Sequence, residues 1–221
     1  MPFIINEEEL FVKTEERKDF DKEAAQWDAN PGRVRLAQDV ATTIIREAGP
    51  SKDMDVLDYG CGTGLVTLAL QPKVKTITGA DSSQGMLGVL ENKVKTQNLS
   101  NVRTQLVDFE RNGKVSGAFH LVVSSMTMHH VKDTAVLFRQ WNDILLPGGL
   151  LAAADLDSED GSFHGDNRGV FHLGFDRDAM KKLLEQAGFH DIRTTTASTM
   201  VREIAGGGKR EFTVFLIMGR K

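Results

Sequence analysis

Cysteine, aromatic residues and long hydrophobic runs are all scarce in this sequence. Its single cysteine, Cys61, excludes an internal disulfide and points to a reducing, cytoplasmic setting. Only 7% of residues are aromatic, with one tyrosine and two tryptophans, and the formal net charge is −4. A chain with neither a positive field nor basic stretches interleaved with aromatics is poorly suited to nucleic acid or an anionic membrane. Apolar runs such as Val214–Met218 are strand-sized and far short of a membrane span. The opening "MPFIINEEELFVKTEERKDF" is too acidic and too interrupted for a signal peptide. There is no internal repeat and no low-complexity tract.

The 221 residues suffice for one domain with a large core. The expected division is an N-terminal helical segment or lid over residues 1–50 and one core domain over 51–221. Residues 7–25 read as a solvated helix or a loose arm. Leu36, Ala37, Val40, Ala41 and Ile44 recur at helical spacing within 32–48, and Gly49-Pro50 stops that helix. Short apolar strands are expected at 54–58, 75–80, 103–107, 119–124 and 150–155. Helices follow at 64–71, at 133–145 with Asp133 as N-cap, and at 177–187 between Asp176 and Gly188. Two β-prone stretches, 190–197 and 211–219, are joined by "REIAGGGKR", which reads as a turn and predicts a terminal antiparallel pair. The expectation is an α/β fold: a Rossmann-like open twisted sheet of seven strands, mostly parallel with an antiparallel C-terminal strand, and helices on both faces.

The most informative stretch is "VLDYGCGTG", Val56–Gly64. Three alternating glycines after a strand let a ligand approach the backbone and permit positive φ. The NAD fingerprint has G-x-G-x-x-G, whose third glycine falls here on Leu65, and no Gly-Lys-Ser/Thr phosphate loop follows. A nucleoside without phosphates fits better.

"VLDYGCGTG" resembles the first motif of class I S-adenosylmethionine-dependent methyltransferases. The resemblance continues through "GADSSQGML" (Gly79–Leu87), "VDFE" (Val107–Glu110), "FHLVVSSMTMHHV" (Phe119–Val131) and "LLPGGLLAAAD" (Leu145–Asp155). These five motifs stand in the family's order and spacing across residues 25–195, and are most similar to the small-molecule subgroup that includes quinone-biosynthesis enzymes.

The resemblance implies S-adenosylmethionine as cofactor, with S-adenosylhomocysteine as product, and a role for each matching residue. Asp81, with Ser82 beside it, would accept the ribose hydroxyls, or cap the following helix. Met86 would pack on adenine or serve as plain core. Asp108 would meet the adenine amino group and the Phe109 N–H a ring nitrogen. Backbone at Gly60, Gly62 and Gly64 would line the methionine moiety, while Asp58 would orient its ammonium or hold the glycine turn. Cys61 reads as a small packed residue. Ser124 or Ser125, with Met126, would pass near the sulfonium.

Beyond them His129 and His130 begin the substrate loop. Either can act as a base during methyl transfer, or cap and shape the pocket. In "AAQWDANPGRVRL", Trp27 would cover the methionine end, and Arg33 or Arg35 would meet an acidic group or form a solvated face. Residues Asp155–Asp176 read as a solvated loop over the substrate, with His172 as the substrate-side choice. The alternative, an ion held by Asp155, Asp157, Glu159, Asp160, His164 and His172, is disfavoured because the family's metal-dependent branch has acids where this chain has Ser124-Ser125; no metal is expected.

Nucleic-acid methyltransferases are disfavoured too. There is no N/D/S-P-P-aromatic sequence after the fourth strand, and no cysteine downstream of the first motif for C5 chemistry. A small-molecule acceptor at O, N or C is expected, on a monomer or homodimer without a membrane span. Two other classes stay open: a cofactor-binding protein without transferase activity, and an NAD-dependent oxidoreductase.

Overall fold

The structure, a computed structural model, describes residues 18–107, 113–203 and 207–221. Two short turns of helix open it: α1 (Phe20–Glu23) and a 3₁₀ segment, Ala24–Ala29. Next comes α2 (Pro31–Ala48), whose ends follow directly from sequence. The Asn30 side chain accepts from the Gly32 and Arg33 N–H groups, Pro31 occupies the first helical position, and Gly49 closes the helix in the left-handed region at φ 57°.

Seven strands follow: β1 (Asp55–Tyr59), β2 (Thr76–Asp81), β3 (Val102–Leu106), β4 (Phe119–Ser125), β5 (Leu145–Leu156), β6 (His190–Glu203) and β7 (Lys209–Arg220). Their order across the sheet is β3-β2-β1-β4-β5-β7-β6, and β7 alone runs antiparallel to its neighbours. The helices between them are α3 (Leu65–Leu70), α4 (Gln84–Thr96), α5 (Thr134–Ile144) and α6 (Arg177–Gln186).

One face of the sheet packs Val56, Ile77 and Leu121 against Val40 and Ile44 of α2, Leu70 of α3 and Leu90 of α4. The other packs Leu57, Val122 and Ile217 against Phe138 and Trp141 of α5 and Leu184 of α6. Burial on both faces explains why Val56-Leu57 of β1 and Leu121-Val122-Val123 of β4 are consecutive apolar residues rather than alternating ones. Among the described residues no helix is long and apolar enough to cross a membrane.

The C-terminal strands differ from expectation. β6 and β7 stay paired from His190–Arg220 out to Glu203–Lys209, so Arg202, Glu203, Lys209 and Arg210 of "REIAGGGKR" are strand rather than turn. Alternating exposure from Thr199 to Glu203 along β6 accompanies this longer ladder, which brings Arg202 to the lining of a large cavity. β5 likewise starts five residues early, through the Pro147-Gly148-Gly149 irregularity, where pairing with β4 shifts register. Of the expected arm at 7–25, residues 7–17 lie outside the described residues.

Candidate functional site

Strand order reverses between β1 and β4, and a crevice opens beyond the carboxyl ends at such a switch point. Here a cavity of about 1030 Å³ lies there, lined by the glycine turn, the ends of β2 and β4, and the N-terminal segment.

All three turn glycines have positive φ: 73° at Gly60, 54° at Gly62 and 85° at Gly64. They do different work. A methyl group at Gly60 would overlap the Thr127 side chain, and one at Gly64 would overlap Leu90. At Gly62 a methyl group would meet only open space. Two glycines therefore let the protein pack on itself; Gly60 and Gly62 both line the cavity, and at Gly62 the backbone faces open space.

Asp81 fastens this turn. One carboxylate oxygen accepts the Gly62 N–H at 2.7 Å and the other the Ser83 N–H at 2.9 Å. A carboxylate has further acceptor positions, and Asp81, beside Ser82 and Met86, lines the cavity. Burial raises its carboxyl against the opposing pull of those N–H groups. The N-cap of α4 is Ser83, whose hydroxyl accepts from the Met86 N–H.

Asp58 is buried at the end of β1 and accepts the Thr67 hydroxyl at 2.5 Å. Its bond is to α3, the helix that follows the turn, whereas Asp81 bonds the turn itself at Gly62. Burial, with the Asp81 charge adding to it, pushes the Asp58 carboxyl up to about 7 despite the Thr67 bond. Burial also pushes the Cys61 thiol up, which makes it inert as a nucleophile. Asp108 and Phe109 lie outside the described residues.

After β4 the two serines separate. Ser124 is buried and donates to the Tyr59 carbonyl, whereas Ser125 lines the cavity. Met126 beside it holds φ 57°, costly for a side chain with a Cβ, and its N–H donates to Ala154 O.

His129 meets a partner the sequence did not suggest. Its Nδ1 lies 2.7 Å from Asp155 Oδ1, and its backbone N–H donates to Asp155 Oδ2 at 3.2 Å. Both residues are almost wholly buried. Burial alone would raise the Asp155 carboxyl, but His129 and the Leu156 N–H outweigh it and hold it below its ordinary value. An ionised carboxylate only accepts, so the hydrogen-bonded Nδ1 of His129 carries a hydrogen.

His130 Nδ1 lies 2.6 Å from Gly169 O, and burial and His129 bring this group down to about 3. His164 stacks 5.0 Å from His129 and is lowered to about 4, again chiefly by burial. All three histidines line the cavity.

His172 does not line it; its Nε2 lies 3.0 Å from Val131 O, and its ring stacks on Phe175. The segment 155–176 is also less solvated than its composition implied, because Phe163 and Phe175 are core residues. Its carboxylates are engaged locally. Asp157 pairs with Arg177 and accepts from Thr213, Glu159 accepts from Gly161 and Phe163 N–H groups, and Asp160 accepts from Ser162 and Arg210. Among the described residues no group of three or more His, Cys, Asp or Glu could hold a metal ion.

The N-terminal segment is tied over the crevice by two aspartates. Asp21 accepts the Ser83 hydroxyl at 2.5 Å and the Gly85 N–H at 2.7 Å, at the start of α4. Asp28 accepts the Thr63 hydroxyl at 2.6 Å and pairs with Lys93 at 2.5 Å. Trp27 lines the cavity with the Arg33 guanidinium 3.8 Å above its ring, while Arg35 is exposed on the far side of the helix turn.

These features agree with known proteins. A sequence profile described as a methyltransferase domain matches residues 33–194. An uncharacterised methyltransferase of Schizosaccharomyces pombe is 35% identical over 140 residues, 60% of this chain and 49% of that one. A ubiquinone biosynthesis O-methyltransferase of Coxiella burnetii is 29% identical over 143 residues, 63% of this chain and 61% of that one. The chain thus spans about half to three-fifths of the length of these curated relatives. In fold it is similar to a SAM-dependent methyltransferase from Aquifex aeolicus, with a TM-score of 0.66 at 18% identity, covering 90% of this chain and 97% of that one. With the profile spanning most of its length over this glycine turn and crevice, the chain belongs to the methyltransferase-domain family.

Proposed function

We propose that the protein transfers a methyl group from S-adenosylmethionine to a hydroxyl of a small-molecule acceptor. The observation that carries this reading is the Gly62–Asp81 pair: bare backbone facing a large cavity, and beside it a carboxylate with acceptor capacity to spare. That arrangement suits a nucleoside whose ribose meets Asp81 and whose amino-acid end runs along Gly62 toward Asp58. Met86 and Ser82 border the nucleoside, and Trp27, tied down through Asp28, covers the opposite end with the rest of the N-terminal segment. When bound, S-adenosylmethionine supplies an electrophilic methyl group on a sulfonium.

The protein's residues do the rest. Ser125 and Met126 border the position of the reacting methyl, and His129 Nε2 takes the acceptor's proton while Asp155 holds the ring. Relatives described as ubiquinone biosynthesis O-methyltransferases support an oxygen acceptor. His130 and His164, both neutral at pH 7, add no positive charge against the sulfonium. The buried thiol of Cys61 fits a cytoplasmic setting.

Calorimetric titration with S-adenosylhomocysteine, with NAD as control, tests the cofactor. Saturable binding of the sulfur nucleoside alone is expected; binding of NAD in its place would overturn the reading. The same titration has a pH dependence set by Asp58. Its carboxyl titrates near 7, and a ligand ammonium favours the charged form. Affinity should therefore rise by about tenfold between pH 6 and 8, with proton release on binding, and level off above. The profile should be flat in Asp58→Asn.

The turn glycines separate folding from binding. Gly60→Ala forces a methyl into Thr127 at positive φ and should lower the melting midpoint by several degrees, from about 1–3 kcal/mol of strain. Gly62→Ala meets no protein atom, so its folding cost is limited to about 1–2 kcal/mol of left-handed strain. It should nevertheless weaken S-adenosylhomocysteine by tenfold or more, on the order of one lost close contact surface. Unchanged affinity in Gly62→Ala would remove the turn from the binding site.

A further inference from the structure

The segment that roofs the cavity is held mainly by polar contacts. Across residues 18–30 only Ala24 is buried, and α1 is a single turn that passes straight into the 3₁₀ segment. Lys18, Phe20 and Trp27 nevertheless line the cavity. Phe20 stands edge-on to Trp27 at 5.9 Å and to His130 at 5.2 Å between ring centroids. A segment with so little apolar burial belongs to the low-stability end of a fold and opens without unfolding the rest. Its side-chain fastenings across the crevice are Asp21, on Ser83 and Gly85, and Asp28, on Thr63 and Lys93.

The place where Asp21 docks is shaped for close approach. A Cβ at Gly85 would lie 2.9 Å from Asp21 Cα and 3.0 Å from the Asp21 carbonyl oxygen, a clash with backbone that no rotamer change relieves. Gly85 lies in the first turn of α4 and its φ is not positive, so alanine would suit the helix better. What its missing side chain serves is the docking of the N-terminal segment. One residue joins this dock to the nucleoside side of the cavity. Ser83 donates its N–H to Asp81 at 2.9 Å and its hydroxyl to Asp21 at 2.5 Å. Two carboxylates therefore share one serine, and the Asp21 charge adds to burial in raising the Asp81 carboxyl.

We propose that residues 18–30 form a strap that must unlatch from Gly85 for the cofactor to enter or its product to leave, and that a nucleoside on Asp81 draws the latch shut through Ser83. This rests on the methyltransferase reading and adds to it a gate with a defined catch. Ribose hydroxyls donating to Asp81 offset the repulsion between the two carboxylates, so the bound nucleoside favours the latched state. By linkage, the latched state holds the nucleoside more tightly.

S-adenosylhomocysteine is the probe, its release followed by stopped-flow displacement. Gly85→Ala and, independently, Asp21→Ala should each release it about tenfold faster than the parent with association no slower, the scale of one lost hydrogen bond to a charged group. The ligand-free Gly85→Ala protein should melt no lower than the parent, because alanine favours the helix. In the double variant release should be no faster than in the faster single variant, since both substitutions open one latch. Saturating ligand should slow trypsin cleavage at Lys18 and Lys22 of the parent by about tenfold or more. Release within about threefold of the parent in both variants, effects that multiply in the double variant, or cleavage that ligand does not slow would each overturn the inference. If S-adenosylhomocysteine does not bind at all, the cofactor reading fails instead. Trypsin then decides the latch on the ligand-free protein, where both variants should be cut about tenfold faster than the parent.

Discussion

Asp155→Asn is expected to lower kcat by about 10²–10⁴ with a hydroxyl acceptor, the range over which a positioned base contributes. Cofactor affinity should stay within about twofold, because Asp155 does not line the cavity. The carboxylate makes three acceptor contacts: Oδ1 to His129 Nδ1 and the Leu156 N–H, and Oδ2 to the His129 N–H. Asparagine has one acceptor oxygen and an NH₂. In either orientation the NH₂ faces a buried backbone N–H, and one orientation also drives His129 to the tautomer with hydrogen on Nε2. The charge that would stabilise a protonated ring is lost as well.

The outcome depends on the acceptor in a way that damage to packing would not. An acceptor with a hydroxyl acidic enough to be ionised at assay pH needs no base, so its rate should fall far less. The measurement is single-turnover methyl transfer for a series of acceptors of graded acidity. Equal losses across the series, or a loss below threefold for all of them, would rule out a base oriented by Asp155.

The parts of this molecule that were legible in sequence are those set by local chemistry. Asp133 and Asp176 cap helices where their side chains can reach the backbone three residues on, and Gly49 ends α2 because it alone tolerates that φ without strain. The seven strands and their mostly parallel arrangement follow from apolar runs alternating with helices. The glycine turn and its positive φ were legible, yet the division of labour within it was not. Whether a glycine faces Thr127, Leu90 or open space depends on side chains 26 to 67 positions away, which local pattern does not encode.

The acceptor end was harder for the same reason. Asp155 read as the first residue of a solvated loop, whereas it is buried at the end of β5; the signal that could have shown this is a lone acid closing the apolar run "LLAAAD", since a buried charge needs a partner. Its pairing with His129 came only from the register of β4 against β5. His172 looked like the substrate-side histidine, but the backbone of 169–175 turns it to Val131 and presents His164 instead. Arg202 was hidden in a stretch that reads as a turn; strand pairing out to Glu203 is what brings it over the cavity. Long-range register, rather than composition, decides each of these.

Asp81→Ala should weaken S-adenosylhomocysteine by about 10²-fold or more, since hydrogen bonds to a charged group are each worth about 1.5–3 kcal/mol. The substitution has a second effect. The Gly62 and Ser83 N–H groups lose their acceptor, and an orphaned buried donor costs about 1–3 kcal/mol, so the melting midpoint should also drop by several degrees. Affinity loss alone thus does not distinguish a ribose contact from a loosened turn. A cycle with a cofactor analogue lacking the 2′ hydroxyl does. In the parent protein the analogue should bind tenfold or more weakly than S-adenosylhomocysteine, whereas in Asp81→Ala the two nucleosides should bind alike, because the group that tells them apart is gone. If the analogue's penalty is the same in both proteins, Asp81 acts only as the fastening of the glycine turn, and the ribose hydroxyls must be met elsewhere in the cavity.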